Sequence, residues 1–592
     1  MIRNKYLTFL GVGLLFIASA CNDGYETEPV EKFTLDYVFS RVDSAGIQAK
    51  RFLNDIYLDH LYDGNNRVGG DYLDGDFLDA ASDDAISIDS SDPDVYKLFM
   101  GRYSAVTRVA DMEWGEFYTG IRKANIVINN IDVVPFNLKY TNALGEVKPL
   151  NSSMKAEARF LRAHFYFELV KRYGGIPLIG DNVYVLGDDI ELPRNTFAQC
   201  IDYIIDELDD IKNDLRSLPM NDAGDYAHVP TKEACMAMKA RVLLYAASPL
   251  FNERTIEPGN ELVGYATYDR NRWNLAAEAA KEIITQFGPE GSGTLGLTSD
   301  YRNIFLNFYD KSNNPELIFF RQTGKNKNIE TKNGPLGFSG NALGFGRTNP
   351  TQNLVESFPM KDGKMPGDSK YAYNPMNNPY VDRDARLNYT ILHNGSTWLG
   401  KQLETYQGGT HNPSGAQYSQ TSYYMCKFMG KYDANRTDYD GDMLHLWVMY
   451  RYGEVLLNYA EALNEYLSSP SDDVYNAIIS LRKRVGIEPG DDEMYGLKKS
   501  MSQAEMRSVI QNERRIEMAF EEQRYWDIRR WRIAEDIFKS PLKGLAIQVS
   551  GSSLTYNEID VLSTIFDIKR YFYPIPYSEV NKNKNMVQNP NW

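Results

Sequence analysis

The feature that most constrains this chain is a series of separated apolar stripes at helical spacing, interrupted by one long segment that lacks any such period. Phe197, Ile201, Ile204, Leu208 and Ile211 fall on one face of a helix. Ala156, Phe160, Ala163, Phe167 and Val170 form a second stripe, stopped by Gly174-Gly175 before Ile176-Pro177. A third follows Pro230, with Thr231 as its N-cap, and runs through Met238, Val242 and Tyr245. Further on, Leu446, Met449, Gly453, Leu456, Ala460 and Leu463 read as one helical face, on which Gly453 and Ala460 would let a neighbouring helix come close. A second helix from about Asp473 to Val485 begins acidic and ends basic, which complements its dipole. A third opens with the capping box Ser502-Gln503-Ala504-Glu505 and buries Met506, Val509, Ile516 and Phe520. Paired helices recurring without a clean sequence period predict a mainly α fold of tetratricopeptide-like stacked hairpins, an α/α superhelix.

The aperiodic segment, about 291–440, is rich in Gly, Asn, Pro and Tyr, and is expected to be a loop-rich ligand side between scaffold segments at about 41–290 and 441–592 of a single body. A shorter irregular stretch, Asp59 to Asp94, holds eleven aspartates against one arginine. Residues 1–20 carry Arg3 and Lys5, an apolar run from Tyr6 to Ile17, and small residues that lead into Cys21. That order predicts a secretory signal, with Cys21 acylated as the mature N-terminus and 21–40 as a tether. The run is too short to span a bilayer, which needs about 20 apolar residues. The net charge of −16 repels phosphate backbones, so no nucleic-acid partner is expected.

Most motifs with chemical potential fail on spacing. Cys200, Cys235 and Cys426 are odd in number and scattered, and Cys200 and Cys235 fall inside helical patterns as small hydrophobes. His60, His164, His228, His393, His411 and His445 show no zinc-ligand spacing. The run Gly395 to Gln402 approaches a phosphate-binding loop but places Gln402 where magnesium needs a hydroxyl. Asp438-Tyr439-Asp440-Gly441-Asp442 alternates like a calcium loop without the EF-hand spacing and reads as a turn, so no cofactor is expected and a structural calcium is unsupported. Glu513 to Arg530 interleaves opposite charges at three- and four-residue spacing, which predicts a salt-bridged helix face. Asp83-Asp84 stays open as a glycosidase pair, because separation in space is invisible in sequence.

An ordered set of blocks resembles the SusD/RagB family of outer-membrane nutrient-binding lipoproteins. They are Trp114-Gly115-Glu116-Phe117-Tyr118 with Ile121-Arg122-Lys123-Ala124-Asn125; Ala156 to Ala163 with Tyr173-Gly174-Gly175-Ile176-Pro177-Leu178; and Pro230-Thr231-Lys232 before Ala240-Arg241-Val242. Then come Arg451-Tyr452-Gly453-Glu454 with Asn458-Tyr459-Ala460-Glu461-Ala462, Asn512-Glu513-Arg514-Arg515 through Trp526 to Trp531, and Tyr573-Pro574-Ile575-Pro576 with Gln588-Asn589-Pro590. The resemblance implies four tetratricopeptide-like helix pairs against an irregular half, a lipid-anchored place at the outer-membrane surface, and no catalysis. It implies transfer of oligosaccharide, or in the RagB branch peptide, to a TonB-dependent transporter of the SusC type.

Aromatic content supports the oligosaccharide reading. The chain has 41 Tyr, 27 Phe and 7 Trp, many in Gly/Asn-rich loops. A sugar stacks its C–H face on a ring while polar side chains take its hydroxyls. Phe338 and Phe345 flank Asn341 in one loop, Trp398 and Tyr406 lie in another, and Tyr72 and Tyr96 lie in or beside the acidic stretch. These seven residues form the expected ligand face. The alternatives are a peptide receptor, a secreted glycosidase and a pure scaffold.

Overall fold

A computed structural model describes residues 34–592 apart from 62–71, 186, 189, 220–228, 307–313, 414–417, 442 and 552. The signal segment, Cys21 and most of the tether lie outside the described residues, as does the side chain of Tyr72. The longer helices are α1 (Ile47–Asp59), α2 (Trp114–Asn130), α3 (Leu150–Tyr173), α4 (Phe197–Ile211), α5 (Lys232–Ala247), α6 (Asn271–Phe287), α7 (Tyr452–Tyr466), α8 (Asp472–Arg484), α9 (Gln503–Glu517) and α10 (Gln523–Arg530). From α1 to α8 each packs on the next, and α9 also packs on α7. This is the stacked-hairpin, tetratricopeptide-like fold expected from the periodicity. Helices α6 and α7 touch although the whole irregular segment lies between them in sequence, so that segment is an excursion from one continuous stack.

Local chemistry explains where the helices begin and end. Thr196 and Gln199 form a reciprocal capping box at α4, Ser502 and Glu505 do so at α9, and the Thr231 hydroxyl accepts from Ala234 N at α5. The α4 stripe is wholly buried, at about 1.5–3 kcal/mol for each large side chain. Helix α3 is buried on nearly all sides and stops at Gly174, whose φ of 75° and 2.3 Å approach of a would-be Cβ to Leu262 O leave no room for a side chain.

Two expectations at the start of α7 are corrected. Leu446 and Met449 lie on a strand, Leu446–Arg451, paired antiparallel with Leu317–Gln322, and the helix begins only at Tyr452. Because that strand is mostly buried, its apolar residues fit a helical or an extended period equally well. Gly453 does not serve a helix–helix contact. A Cβ there would lie 2.5 Å from Arg451 Nη1 and 2.6 Å from Glu316 Oε1, so the glycine makes room for an ion pair.

That ion pair belongs to a network at the centre of the molecule. Glu517, the last residue of α9, accepts from Arg386 Nη1 at 2.9 Å, Arg451 Nη1 at 2.8 Å and Arg484 Nη2 at 2.5 Å, and all four side chains are 3% exposed or less. Arg386 also binds Asp384 and Glu513, each at 2.7 Å, while Arg451 reaches Glu316 at 2.6 Å and Glu521 at 2.8 Å. Lys427 joins through Glu521 at 2.7 Å and the Tyr301 hydroxyl at 2.8 Å, and burial pushes its pKa down to about 8. The charge-rich run from Glu513 to Arg530 is salt-bridged, but it faces the interior rather than solvent, and apart from Asp527–Arg530 its pairs reach residues farther away in sequence than three or four positions along the helix.

Burial alone would raise the Glu517 carboxyl, yet Arg484, Arg451 and Arg386 hold it well below its ordinary value of 4.5. A depressed carboxyl contributes stability that is complete above its unfolded pKa and is lost as pH falls toward the folded one. Thermal unfolding is expected to show loss of stability as pH drops below about 4.5, the ordinary glutamate value. Glu517→Gln should lower the unfolding free energy in urea by about 3–5 kcal/mol, the cost of breaking a buried pair. An unchanged urea midpoint in that variant would contradict the role given to Glu517.

Candidate ligand-binding face

Residues 334–346 form a loop closed at its base by Gly346 N donating to Gly334 O at 2.9 Å and Phe345 N donating to Thr331 O at 2.9 Å. Its corner is pressed onto the 401–412 segment. Gly337 has φ of 84°, and a Cβ there would lie 2.1 Å from Thr410 O, so only glycine permits the approach. The neighbouring Phe338 is half-buried, with its ring 4.8 Å from the His411 imidazole and tilted 39° to it. Lys401 Nζ lies 5.5 Å from the centre of the same ring. Asn341 is exposed, and its Oδ1 accepts from Lys327 Nζ at 3.0 Å while its carbonyl accepts from Tyr439 N at 3.3 Å. Phe345 and Leu343 stand out to solvent at 42% and 38% exposure.

The 401–412 side supplies the polar groups. His411 Nδ1 accepts from Glu404 N at 3.0 Å, which places the ring proton on Nε2, and burial lowers its pKa so that the imidazole is neutral at pH 7. Glu404 accepts from Thr410 Oγ1 at 2.6 Å, and bonds from Thr410 and Tyr406 keep its carboxyl below the usual range. Tyr406 is half-buried and rests on the core. The result is a shallow face of rings, an amide, an ammonium and a carboxylate. It suits a flat polyol with an apolar side.

Several expected positions fall elsewhere. Trp398 is 2% exposed, donates to the Tyr439 hydroxyl at 3.4 Å and meets the Tyr432 ring edge-on at 5.1 Å. It is a core residue beneath the loop, because its faces are covered by other rings, and it offers no platform. Tyr96 lies on the short helix Asp94–Met100 and has Arg102 over its ring at 5.6 Å. Among the described residues of the acidic stretch, Asp76, Asp79, Asp83 and Asp84 are interior: Asp76 pairs with Arg347 at 2.9 Å, Asp83 with Arg524 at 2.8 Å, and Asp84 with Arg515 at 2.6 Å. The Asp83-Asp84 carboxylates are committed to those arginines, and burial raises Asp84 while Arg515 and Arg524 hold Asp83 low against the same burial.

Sequence reasoning missed Lys327 and Lys401, which lie beside Asn341 and Phe338, and His411, which at 2% exposure is buried against the Phe338 ring and holds Glu404 by its backbone N–H. A dispersed histidine and two lysines carry no sequence signal, because only the loop closure at Gly337 brings them together.

The chain matches the family model described as the SusD family over residues 315–592 and the one described as starch-binding associating with outer membrane over 41–244. The chain belongs to the SusD/RagB family. It is 24% identical over 486 residues to SusD-like protein P2 of Formosa agariphila, covering 80% of this chain and 79% of that protein. It superposes on a crystal structure of a SusD-like protein from Bacteroides fragilis with a TM-score of 0.71 at 25% identity, covering 94% of this chain and 98% of that one. A laminarin-binding SusD-like protein shares the fold at a TM-score of 0.62 and 18% identity, covering 93% and 100%. Among the described residues no helix is long and apolar enough to cross a membrane.

Trp398→Ala is expected to cost about 3–5 kcal/mol of stability, as for a buried aromatic. Phe345→Ala, on the exposed limb of the loop, should stay within about 0.5 kcal/mol. Differential scanning calorimetry of the two variants compares them directly, and equal melting temperatures would refute the core assignment of Trp398.

Proposed function

We propose that this protein is a non-catalytic, lipid-anchored receptor that captures oligosaccharide on the Phe338 face and delivers it to a SusC-like TonB-dependent outer-membrane transporter. The observation that carries the reading is the half-buried Phe338 ring at the corner of the Gly334–Gly346 loop, with the Lys401 ammonium 5.5 Å from its centre and the exposed Asn341 amide on the same loop, an arrangement able to stack a pyranose and bond its hydroxyls. The family description, starch-binding and associating with the outer membrane, supports both ligand class and place. In this reading Cys21 is acylated after removal of residues 1–20, residues 21–40 span from lipid to the body, and the body faces the cell exterior. The 291–440 excursion then forms the ligand side of a single body whose helical stack is the frame.

The Phe338→Ala and Tyr406→Ala variants are expected to weaken binding of a preferred oligosaccharide about tenfold each in titration calorimetry, the effect of losing about 1.4 kcal/mol of stacking. Melting temperatures should change little. A panel that includes glycans and peptides decides the class: binding of peptides alone, or release of shortened sugars during the titration, would overturn the reading. Cys21→Ala should move the protein from the membrane fraction to the soluble one.

A further inference from the structure

A second cleft, of about 370 Å³, opens where the end of α8 meets the irregular segment. Its walls include Asp300, Tyr301, Arg302, Tyr389, Lys431 and Arg484, three cations against one carboxylate in a chain whose net charge is −16. The larger groove, about 1140 Å³ between 359–370 and 488–512, has no aromatic side chain in its lining, whereas this cleft has two. The half-buried Tyr389 ring lies nearly parallel to Tyr301, 6.3 Å away and inclined by 23°.

The cations are held in different ways. Arg484 forms the floor: its side chain is 3% exposed, its terminal nitrogens are bound to Glu316 and Glu517, and its Cζ lies 4.9 Å from the centre of the Tyr301 ring. Lys431 stands on the rim, paired with Asp300 at 2.8 Å in a contact that is nearly half exposed on both sides. Arg302 is half-buried and donates through Nη2 to Gly430 O at 3.0 Å, and it makes no ion pair among the described residues. A guanidinium fixed by one backbone bond, with its remaining donors uncommitted, is suited to take a carboxylate. The 428–433 stretch links this cleft to the Phe338 face: Lys431 points to Asp300, while Tyr432 turns inward to Trp398 and to the Glu330 carboxylate.

We propose that this cleft is a binding subsite for a carboxylated sugar, with the uronic acid carboxylate on Arg302 and Lys431 and the pyranose against Tyr389. The volume accommodates one or two sugar rings. The ring contact rests on the glycan-binding reading above, and the charge contact adds that the captured glycan is acidic. On an acidic protein a local cluster of cations is needed to offset long-range repulsion of such a ligand.

Titration calorimetry of the full chain in detergent should compare trigalacturonate, trimannuronate and a hyaluronan tetrasaccharide with neutral oligosaccharides of the same lengths. At least one uronate oligomer is expected to bind tenfold or more tightly than its neutral counterpart at 20 mM salt, and the preference should shrink at 300 mM as the charges are screened. Arg302→Gln should reduce that preference to threefold or less while leaving neutral binding and melting temperature unchanged, and Lys431→Gln, on the rim, should act in the same direction. If neutral oligosaccharides bind but uronates hold no advantage, or if Arg302→Gln leaves the advantage intact, the acidic-sugar subsite is wrong and the Phe338 reading stands. If no oligosaccharide of either kind binds, both fall.

Discussion

The rest of the structure depends on the arginine cluster around Glu517. Its members come from separate parts of the chain: Arg386 from the irregular segment, Arg451 from the strand that precedes α7, Arg484 from the end of α8, and Glu517 from the end of α9. A buried ion pair is a poor source of net stability, because desolvation cancels much of the Coulomb gain. It is demanding about geometry, however, since each carboxylate oxygen and guanidinium nitrogen left unmatched in the interior costs the full desolvation penalty. The network therefore fixes how the irregular half sits on the helical stack. Gly453 is small because Arg451 and Glu316 occupy the space a side chain would take.

That registration positions the surface. The loop from Gly334 to Gly346 is held from below by Glu330, which accepts from Gly430 N at 3.2 Å, the Tyr432 hydroxyl at 3.2 Å and His445 Nε2 at 2.9 Å. Trp398, Tyr432 and Tyr439 pack edge to face in the same place. Much of the aromatic content of the irregular segment thus goes into building a floor, and a smaller part, which includes Phe338, Phe345, Tyr389, Tyr406 and Tyr418, reaches solvent. A loop with few regular hydrogen bonds needs such packed rings, since each buries a large apolar area and restricts its neighbours.

The sequence was most legible where a single local rule decides the outcome. The N-cap at Thr231, the capping box at Ser502, the stop at Gly174 and the stripe of α4 each depend on residues within one or two turns, and each formed as its chemistry requires. It was least legible where burial on every side removes the contrast that a periodic pattern needs. Leu446 to Arg451 became a strand for that reason, and Trp398, in a Gly-rich loop that suggests exposure, became core. The pairing of the acidic run before Asp94 was equally hidden: Asp76, Asp83 and Asp84 meet Arg347, Arg524 and Arg515, which arrive from hundreds of residues away.

By itself, the order of residues determined the helical class and the charge pattern that must be paired, because these follow from spacing and composition along the chain, and its ordered blocks carried the resemblance to the family. Tertiary structure alone decided which rings face outward and which lysines, histidine and glutamate stand beside Phe338. It also decided that Arg302, Tyr389 and Lys431 share one cleft. The physical reason is that a ring or a charge acquires its role from what covers it, and the covering groups here come from segments whose separation in sequence carries no information about their distance in space.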